Sequence, residues 1–317
     1  MTMTNIIDVL QGVKRIGISG HLRPDGDCLG SCTALYTYLK ENIKDIEIFV
    51  FLERVPENFM YLPNVDKIIT DYPNMEPFDV MICLDSSDLD RIGDARKYFE
   101  EAKKTICIDH HISNDNYAEL CHVLPDASST CEVLYGVFED SKISTNTAIA
   151  LYTGLIHDTG VFKHSNTSKY TMEVAGSLID KKVNFSKIID ESFYKKTFLQ
   201  NQLLGMCLLN AKLELEGKVI ISSIDKKTMD ENNAKPSDLD GIIDQLRVTE
   251  GVEVAILLNE TEKDVYKVSM RSNNDVNVSE IAVSFGGGGH IKAAGCSISG
   301  SVEKITELLV DKIEKQL

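Results

Sequence analysis

Long apolar runs are missing from the 317-residue chain. No stretch approaches the ~18 consecutive apolar residues of a membrane-spanning helix. The start, MTMTNIIDVLQGVKRIGISG, also lacks the layout of a secretory signal. Both absences point to the cytoplasm and away from a membrane. Paired cysteine spacing is missing too: the eight cysteines are scattered, several sit inside apolar runs such as VMICLD and KTICIDHH, and none forms CxxC. They read as small buried hydrophobes in a reducing compartment. Cys28 and Cys32 are four apart, a weak basis for a structural zinc site. Positive charge is scarce, with 33 Lys and Arg against 49 Asp and Glu and a formal net charge of −16. Such a balance excludes tracking of long DNA or RNA through a broad basic groove. It leaves room for a small anionic ligand at a place where bound cations reverse the local field of the acidic chain. There is no fixed-period repeat and no low-complexity segment beyond GGGG.

What is present is enough apolar material, 43% of the residues, for a large core, and a length that suggests two domains. In the first half, RIGISG (15–20), IEIFVFL (46–52), DVMICLD (79–85) and KTICID (104–109) alternate with helix-length segments. Short Ile- and Val-rich runs spaced in this way predict a parallel α/β sheet. The stretch 186–212 reads as helical and able to carry the chain between domains. KVIISSI (218–224), VEVAILLNE (252–260) and VYKVSMRS (265–272), then a glycine run and a terminal helix, predict a smaller α+β domain. The expected layout is therefore an amino-terminal domain over 1–185, a helical linker over 186–212 and a second domain over 213–317.

Four segments carry acidic and imidazole groups. GISGHLRPDGDCLGS sets His21, Asp25 and Asp27 in a loop directly after a strand, where open parallel sheets bind ligands. Helix capping by Asp explains the same residues equally well. DVMICLD ends an apolar strand on Asp85, and KTICIDHH ends another on Asp109, His110 and His111. Packing does not account for two adjacent histidines there, because each ring needs partners for two nitrogens. ALYTGLIHDTG brings Asp158 to the end of a buried helix, where a carboxylate needs a cation or strong donors. His157 and His164 flank it and read as structural.

Mixed N and O donors in this number suit two borderline cations such as Mn²⁺, with Mg²⁺ or Co²⁺ as alternatives. A pair of ions about 3.5–4 Å apart needs a bridging carboxylate and activates water for in-line attack on phosphorus. Asp85, alone at its strand end, is the candidate bridge. In SFGGGGHIKAAG, Gly286, Gly287, Gly288 and Gly289 let backbone amides approach a phosphate, and His290 follows. Arg271 in VSMRS adds a planar donor for phosphate oxygens.

From HLRPDGD through LDSSD, DHH and HDTGVF to GGGGH, the chain resembles the DHH phosphoesterases with a DHHA1 carboxyl-terminal domain. The likeness is greatest to the branch acting on short oligoribonucleotides (nanoRNA, pApA) and on 3′-phosphoadenosine 5′-phosphate (pAp). The resemblance implies a parallel-sheet domain and a smaller α+β domain with an active-site cleft between them. It implies that His21 and Asp25 bind one ion, that Asp27, His110 and Asp158 bind the other, and that Asp85 bridges. His111 would face the substrate phosphate with Asp109 orienting the imidazoles, and Arg271 with the loop from Gly286 to His290 would hold the substrate. His157 stands where the family pattern leads one to expect a small or hydroxyl residue. Ser128, Ser129 and Thr130 in DASSTCE fit either substrate binding or helix capping. Cyclic-dinucleotide hydrolysis is the nearest rival function. Pyrophosphate hydrolysis and a non-catalytic nucleotide sensor are more distant rivals, the first opposed by GGGGH and the second by the complete ligand set. A homodimer remains compatible with all of this.

Overall fold

The computed structural model describes residues 3–317. The chain forms two compact units that part between Lys195 and Lys196. The first unit runs α1 (Ile6–Val9), β1 (Arg15–Ser19), α2 (Gly26–Asn42), β2 (Glu47–Phe51), β3 (Ile68–Ile69), β4 (Val80–Leu84) and α3 (Arg96–Glu101). It continues through β5 (Thr105–Asp109), β6 (Leu120–Val123), α4 (Thr130–Val137), α5 (Thr145–Asp158), α6 (Lys169–Asp180) and α7 (Phe185–Ile189). Its six strands are all parallel, in the order β3-β2-β1-β4-β5-β6.

The apolar runs have a direct physical cause: the strands are buried on both faces. In β4, Val80, Ile82 and Leu84 enter one core, while Met81 and Cys83 enter the other beside Phe51, Phe78, Tyr98 and Phe99. Strand order reverses between β1 and β4, so the crevice lies at the carboxyl ends of these two strands. There β1 runs on into Gly20 and His21, and β4 into Asp85. Two helices aim at the same place. α2 and α5 cross closely at glycines: a Cβ on Gly30 would lie 2.6 Å from the Ala150 carbonyl, and one on Gly154 would lie 2.5 Å from Asp27 Oδ1. The amino end of α2 thereby meets the carboxyl end of α5.

The second unit runs α8 (Phe198–Leu209), β7 (Lys212–Glu214), β8 (Val219–Ile224), α9 (Lys226–Glu231), α10 (Ile242–Arg247), β9 (Val254–Glu262) and β10 (Val265–Ser272). It closes with α11 (Val278–Ser284), β11 (Gly288–His290), β12 (Ala293–Ser299) and α12 (Val302–Glu314). Its mixed sheet has the order β11-β12-β10-β9-β8-β7. One face packs on α11 and α12, the other on α8 and α10.

Two features depart from the sequence reading. The stretch 186–212 is not one linker: Ile188, Ile189 and Phe193 join the first unit's core, whereas Leu199, Leu203 and Cys207 join the second's. Apolar residues on each half found different cores. The glycine run is not a free loop, because Gly288–His290 form an edge strand on β12.

Candidate metal centre

β1 ends in a loop that turns into α2. Asp25 caps that helix, its Oδ1 accepting from the Asp27 and Cys28 amides at 3.1 Å each. The same oxygen lies 3.6 Å from His21 Nε2. Capping and site membership are thus compatible. His21 Nδ1 donates to the Leu22 carbonyl at 2.8 Å, which leaves Nε2 facing Asp85 Oδ2 at 3.4 Å. Asp27 is fully buried, and its carboxylate accepts from the Thr130 and Cys131 amides at 2.6 and 3.0 Å. These amides open α4, so the helix end offsets part of the desolvation.

Asp85 sits at the switch point with φ 54°, left-handed backbone that a non-glycine residue adopts at a cost. It is buried, and its Oδ1 accepts from the Thr130 hydroxyl at 3.1 Å and lies 3.7 Å from both His110 Nε2 and His111 Nδ1. β5 then delivers the histidine pair. His110 Nδ1 donates to the Ala127 carbonyl at 3.2 Å and points Nε2 at Asp158 Oδ2, 3.0 Å away. His111 Nδ1 bonds Asp109 Oδ1 at 2.7 Å, while Asn114 donates to Asp109 Oδ2 at 2.7 Å. Fixing one ring nitrogen leaves the other free for a ligand.

The electrostatics are those of a site built around positive charge. Among the described residues, the ionic partners of Asp25, Asp85, Asp109 and Asp158 are imidazoles, with no lysine or arginine. Burial, together with the charges of Asp85 and Asp158, pushes the Asp27 carboxyl well above its ordinary range. Burial also raises Asp158, although the His110 hydrogen bond opposes it. Burial alone would lower the histidines, yet hydrogen bonds donated to Asp25 and Asp85 push His21 up to about 12. The Asp158 hydrogen bond and the Asp27 charge push His110 up to about 10. Burial would raise Asp109, but hydrogen bonds from His111 and Asn114 hold it below the usual carboxylate range.

Ligand-capable atoms lie within 4.8 Å of one another in three groups: Asp27, His110 and Asp158; Asp85, His110 and His111; and His21, Cys28 and Asp85. Asp85 and His110 join the groups together. Buried N and O donors without a cationic side chain fit divalent ions. Asp25 joins none of the groups directly and meets them through His21. Cys28, raised by the sequence only as a weak zinc candidate together with Cys32, falls instead in a group with His21 and Asp85; burial keeps its thiol protonated, and its Sγ donates to the His21 carbonyl.

Other side chains set the frame. Ser129 caps α4, Ser128 bonds Glu132, and Thr130 anchors both Asp85 and Asp27, so this segment supports the site. Thr130 and Asn114 are the contributors that sequence reasoning under-read; Asn114, five residues past Asp109, was the signal. His157 joins none of the three ligand groups: its ring packs between Phe59 and Phe193 and against Gly26, and burial lowers it to about 4. His164 Nδ1 meets the Asp158 carbonyl at 3.2 Å, a structural contact.

In the second unit, Arg271, Ala293 and His290 are paired in one row across β10, β12 and β11. Paired positions share a face, so the Cα atoms of Arg271 and His290 stand on either side of Ala293, two strand spacings or about 10 Å apart, and the Arg271 guanidinium lies 3.9 Å from Asp244 Oδ1. Gly287 and Gly289 are required by packing, since a Cβ there would lie 2.2 Å and 2.5 Å from β12 carbonyls, whereas Gly286 and Gly288 face open space.

These domains belong to a known family. Residues 15–155 match the DHH family, N-terminal domain, and residues 216–317 match the DHHA1 domain; the chain is a DHH protein with a carboxyl-terminal DHHA1 domain. Curated relatives along nearly the full length include the bifunctional oligoribonuclease and PAP phosphatase NrnA of Thermus thermophilus. It is 27% identical, with 99% of this chain and 94% of that protein covered. The protein of the same name from Bacillus subtilis is 29% identical, with 93% of each covered. An exopolyphosphatase-related protein from Bacteroides fragilis has the same fold, with a TM-score of 0.82 at 24% identity over 98% of this chain and 94% of that one.

Proposed function

We propose that the chain is a metal-dependent phosphoesterase that hydrolyses short oligoribonucleotides to mononucleotides and 3′-phosphoadenosine 5′-phosphate to AMP. The observation that carries this reading is the set of buried carboxylates and imidazoles at the switch point, joined through Asp85 and His110 and free of lysine and arginine. The curated relatives named as oligoribonuclease and PAP phosphatase support the substrate class.

His21 and Asp25 are assigned to one ion, Asp27, His110 and Asp158 to a second, and Asp85 to both. Mn²⁺ suits the mixed donors best. Two such cations would neutralise the phosphate and acidify a water for attack on phosphorus. The chain's own work is positional. The Leu22 and Ala127 carbonyls hold the rings of His21 and His110 with Nε2 inward. Asp109 holds His111 through Nδ1, leaving Nε2 to donate to a phosphate oxygen. In the second unit, Arg271 and His290 are assigned to the non-reacting phosphate, with amides around Gly286 and Gly288 as further donors. All eight cysteines are free, and no helix among the described residues is long and apolar enough to cross a membrane. A cytoplasmic enzyme is consistent with both.

The test is a hydrolysis panel with Mn²⁺ comparing pApA, longer oligoribonucleotides, 3′-phosphoadenosine 5′-phosphate, cyclic di-AMP and pyrophosphate. Turnover of pApA and 3′-phosphoadenosine 5′-phosphate, abolished by chelator and restored by Mn²⁺, is expected. Turnover confined to cyclic di-AMP or pyrophosphate would overturn the assignment.

A further inference from the structure

The sheet of the second unit ends on an open edge. Among the described residues β7 pairs with β8 alone, antiparallel, and stands last in the strand order, with Lys212 and Leu213 exposed and Glu214 half-buried. A strand edge left open is a template for another strand. Shortness and the charge of Lys212 blunt this edge against a strand of arbitrary sequence, but they do not blunt it against its own copy.

The two faces of β7 differ. Paired positions share a face, so Leu213, opposite Ile220, lies on the side packed on α8. Lys212 and Glu214, opposite Ile221 and Val219, lie on the side packed on α12. On the α8 side the apolar surface continues. α8 buries Leu203 and Cys207 but leaves Phe198 78%, Leu209 88% and Met206 36% exposed, and Leu213, four residues past Leu209, is 58% exposed. Phe198, Gln202, Gly205 and Leu209 recur at three and four residues and share one face of the helix. Gly205 is in the helix interior, where glycine is unfavourable, and a Cβ there would meet nothing within 4 Å. Packing inside the chain does not require this glycine, whereas close approach of a second helix does.

A twofold axis perpendicular to the sheet pairs β7 with its copy in antiparallel fashion, keeps each face on its own side and lays the two α8 helices side by side. Faces match only when Lys212 meets position 212 or 214 of the second copy. Centring the pair on Lys212 or on Glu214 sets like charges opposite each other. Centring it on Leu213 sets leucine on leucine and, twice over, Lys212 on Glu214. Charge therefore selects one register, and the strand is complementary to itself. Three residue pairs fall short of the ~800 Å² per partner of a standard interface, so the exposed face of α8 supplies the larger share. The strand order puts His290, on β11, at the opposite edge, clear of this contact.

We infer that β7 and α8 form a self-association face through which two copies join their six-stranded sheets into one, with α8 packed on its counterpart. The inference is independent of the phosphoesterase reading.

The experiment is sedimentation velocity of the full chain from about 1 to 100 μM, at about 0.15 M salt so that repulsion between two chains of −16 is largely screened. A species of twice the 35.3 kDa chain mass is expected. Lys212→Glu and Glu214→Lys, each alone, should weaken dimerisation about tenfold by setting like charges at both pairs, and the double exchange should restore the parent value. Leu209→Glu should weaken it on the order of 100-fold. These side chains are at least partly exposed, so circular dichroism of each variant should match the parent's. A parent chain that stays monomeric over the whole range overturns the inference. A dimer indifferent to the single exchanges, or one that the double exchange fails to restore, overturns the strand pairing; a dimer indifferent to Leu209→Glu overturns the helix contact.

Discussion

Acidification should strip the metal centre in a way that ordinary histidines cannot reproduce. In the metal-free protein the neighbouring carboxylates push His21 up to about 12 and His110 up to about 10 against the burial that would lower them. Both rings are therefore protonated across neutral pH, and each must release a proton to accept an ion on Nε2. The apparent affinity then rises about tenfold per pH unit for each histidine, or about a hundredfold for the product of the two binding constants. The raised carboxyl of Asp27 adds proton release at the acid end. Calorimetric titration of Mn²⁺ into chelator-treated protein between about pH 6 and pH 9, in two buffers of different protonation enthalpy, reads both slope and proton count. Histidines with an ordinary pKa of about 6.5 would give affinity that levels off above about pH 7. A plateau there, or less than about one proton released per ion at pH 8, would refute the account of the site's electrostatics. The sign for stability follows. Because the folded values exceed the unfolded ones, these histidines stabilise the metal-free fold fully below about pH 6.5, and the contribution fades as pH climbs through about 10 and 12. Metal-free protein should lose Tm from about pH 7 to pH 10, and excess Mn²⁺ should remove most of that loss.

Other substitutions test separate parts of the site. Asp85→Asn keeps the size of the side chain and an oxygen for the Thr130 hydroxyl, so circular dichroism should be unchanged. Turnover should be abolished, and one or both ions lost by elemental analysis; near-normal rate with full metal content would refute the bridging role. Gly154→Ala would place a methyl 2.3 Å from Cys131 Sγ and 2.5 Å from Asp27 Oδ1, so it should cost about 1–3 kcal/mol in denaturant unfolding and weaken Mn²⁺ binding. Arg271→Ala should remove a charge-assisted contact worth about 1.5–3 kcal/mol, lowering kcat/KM for pApA about 10- to 100-fold. Bis-p-nitrophenyl phosphate hydrolysis should fall much less; an equal fall for both substrates would place Arg271 in the chemical step. Oligoribonucleotides of about 20 residues should be cut more slowly than dimers, since a −16 chain offers long strands little attraction.

What the sequence by itself determined was the inventory and the frame. Doubly buried parallel strands must be written as unbroken apolar runs, so β1, β2, β4 and β5 were legible at once, and an Asp or Asp-His-His at the end of such a run has no packing excuse. The short edge strands β3 and β6 were not legible, because two to four half-buried residues leave no distinctive pattern. β11 was hidden by glycines that read as a turn, when at Gly287 and Gly289 they are demanded by close approach to β12. The division of 186–212 was likewise invisible, since an apolar helix face does not say which core it will join. Only the tertiary structure decided which carboxylates would meet. Strand order put His21 beside Asp85, and the glycine crossing of α2 on α5 brought the amino end of one helix, with Asp27, to the carboxyl end of the other, with Asp158. The left-handed backbone at Asp85 and the hydrogen bonds that choose a nitrogen on each imidazole depend on groups far away in sequence. Residue types fix which bonds a side chain can make, but the packing of distant elements fixes which partners are within reach.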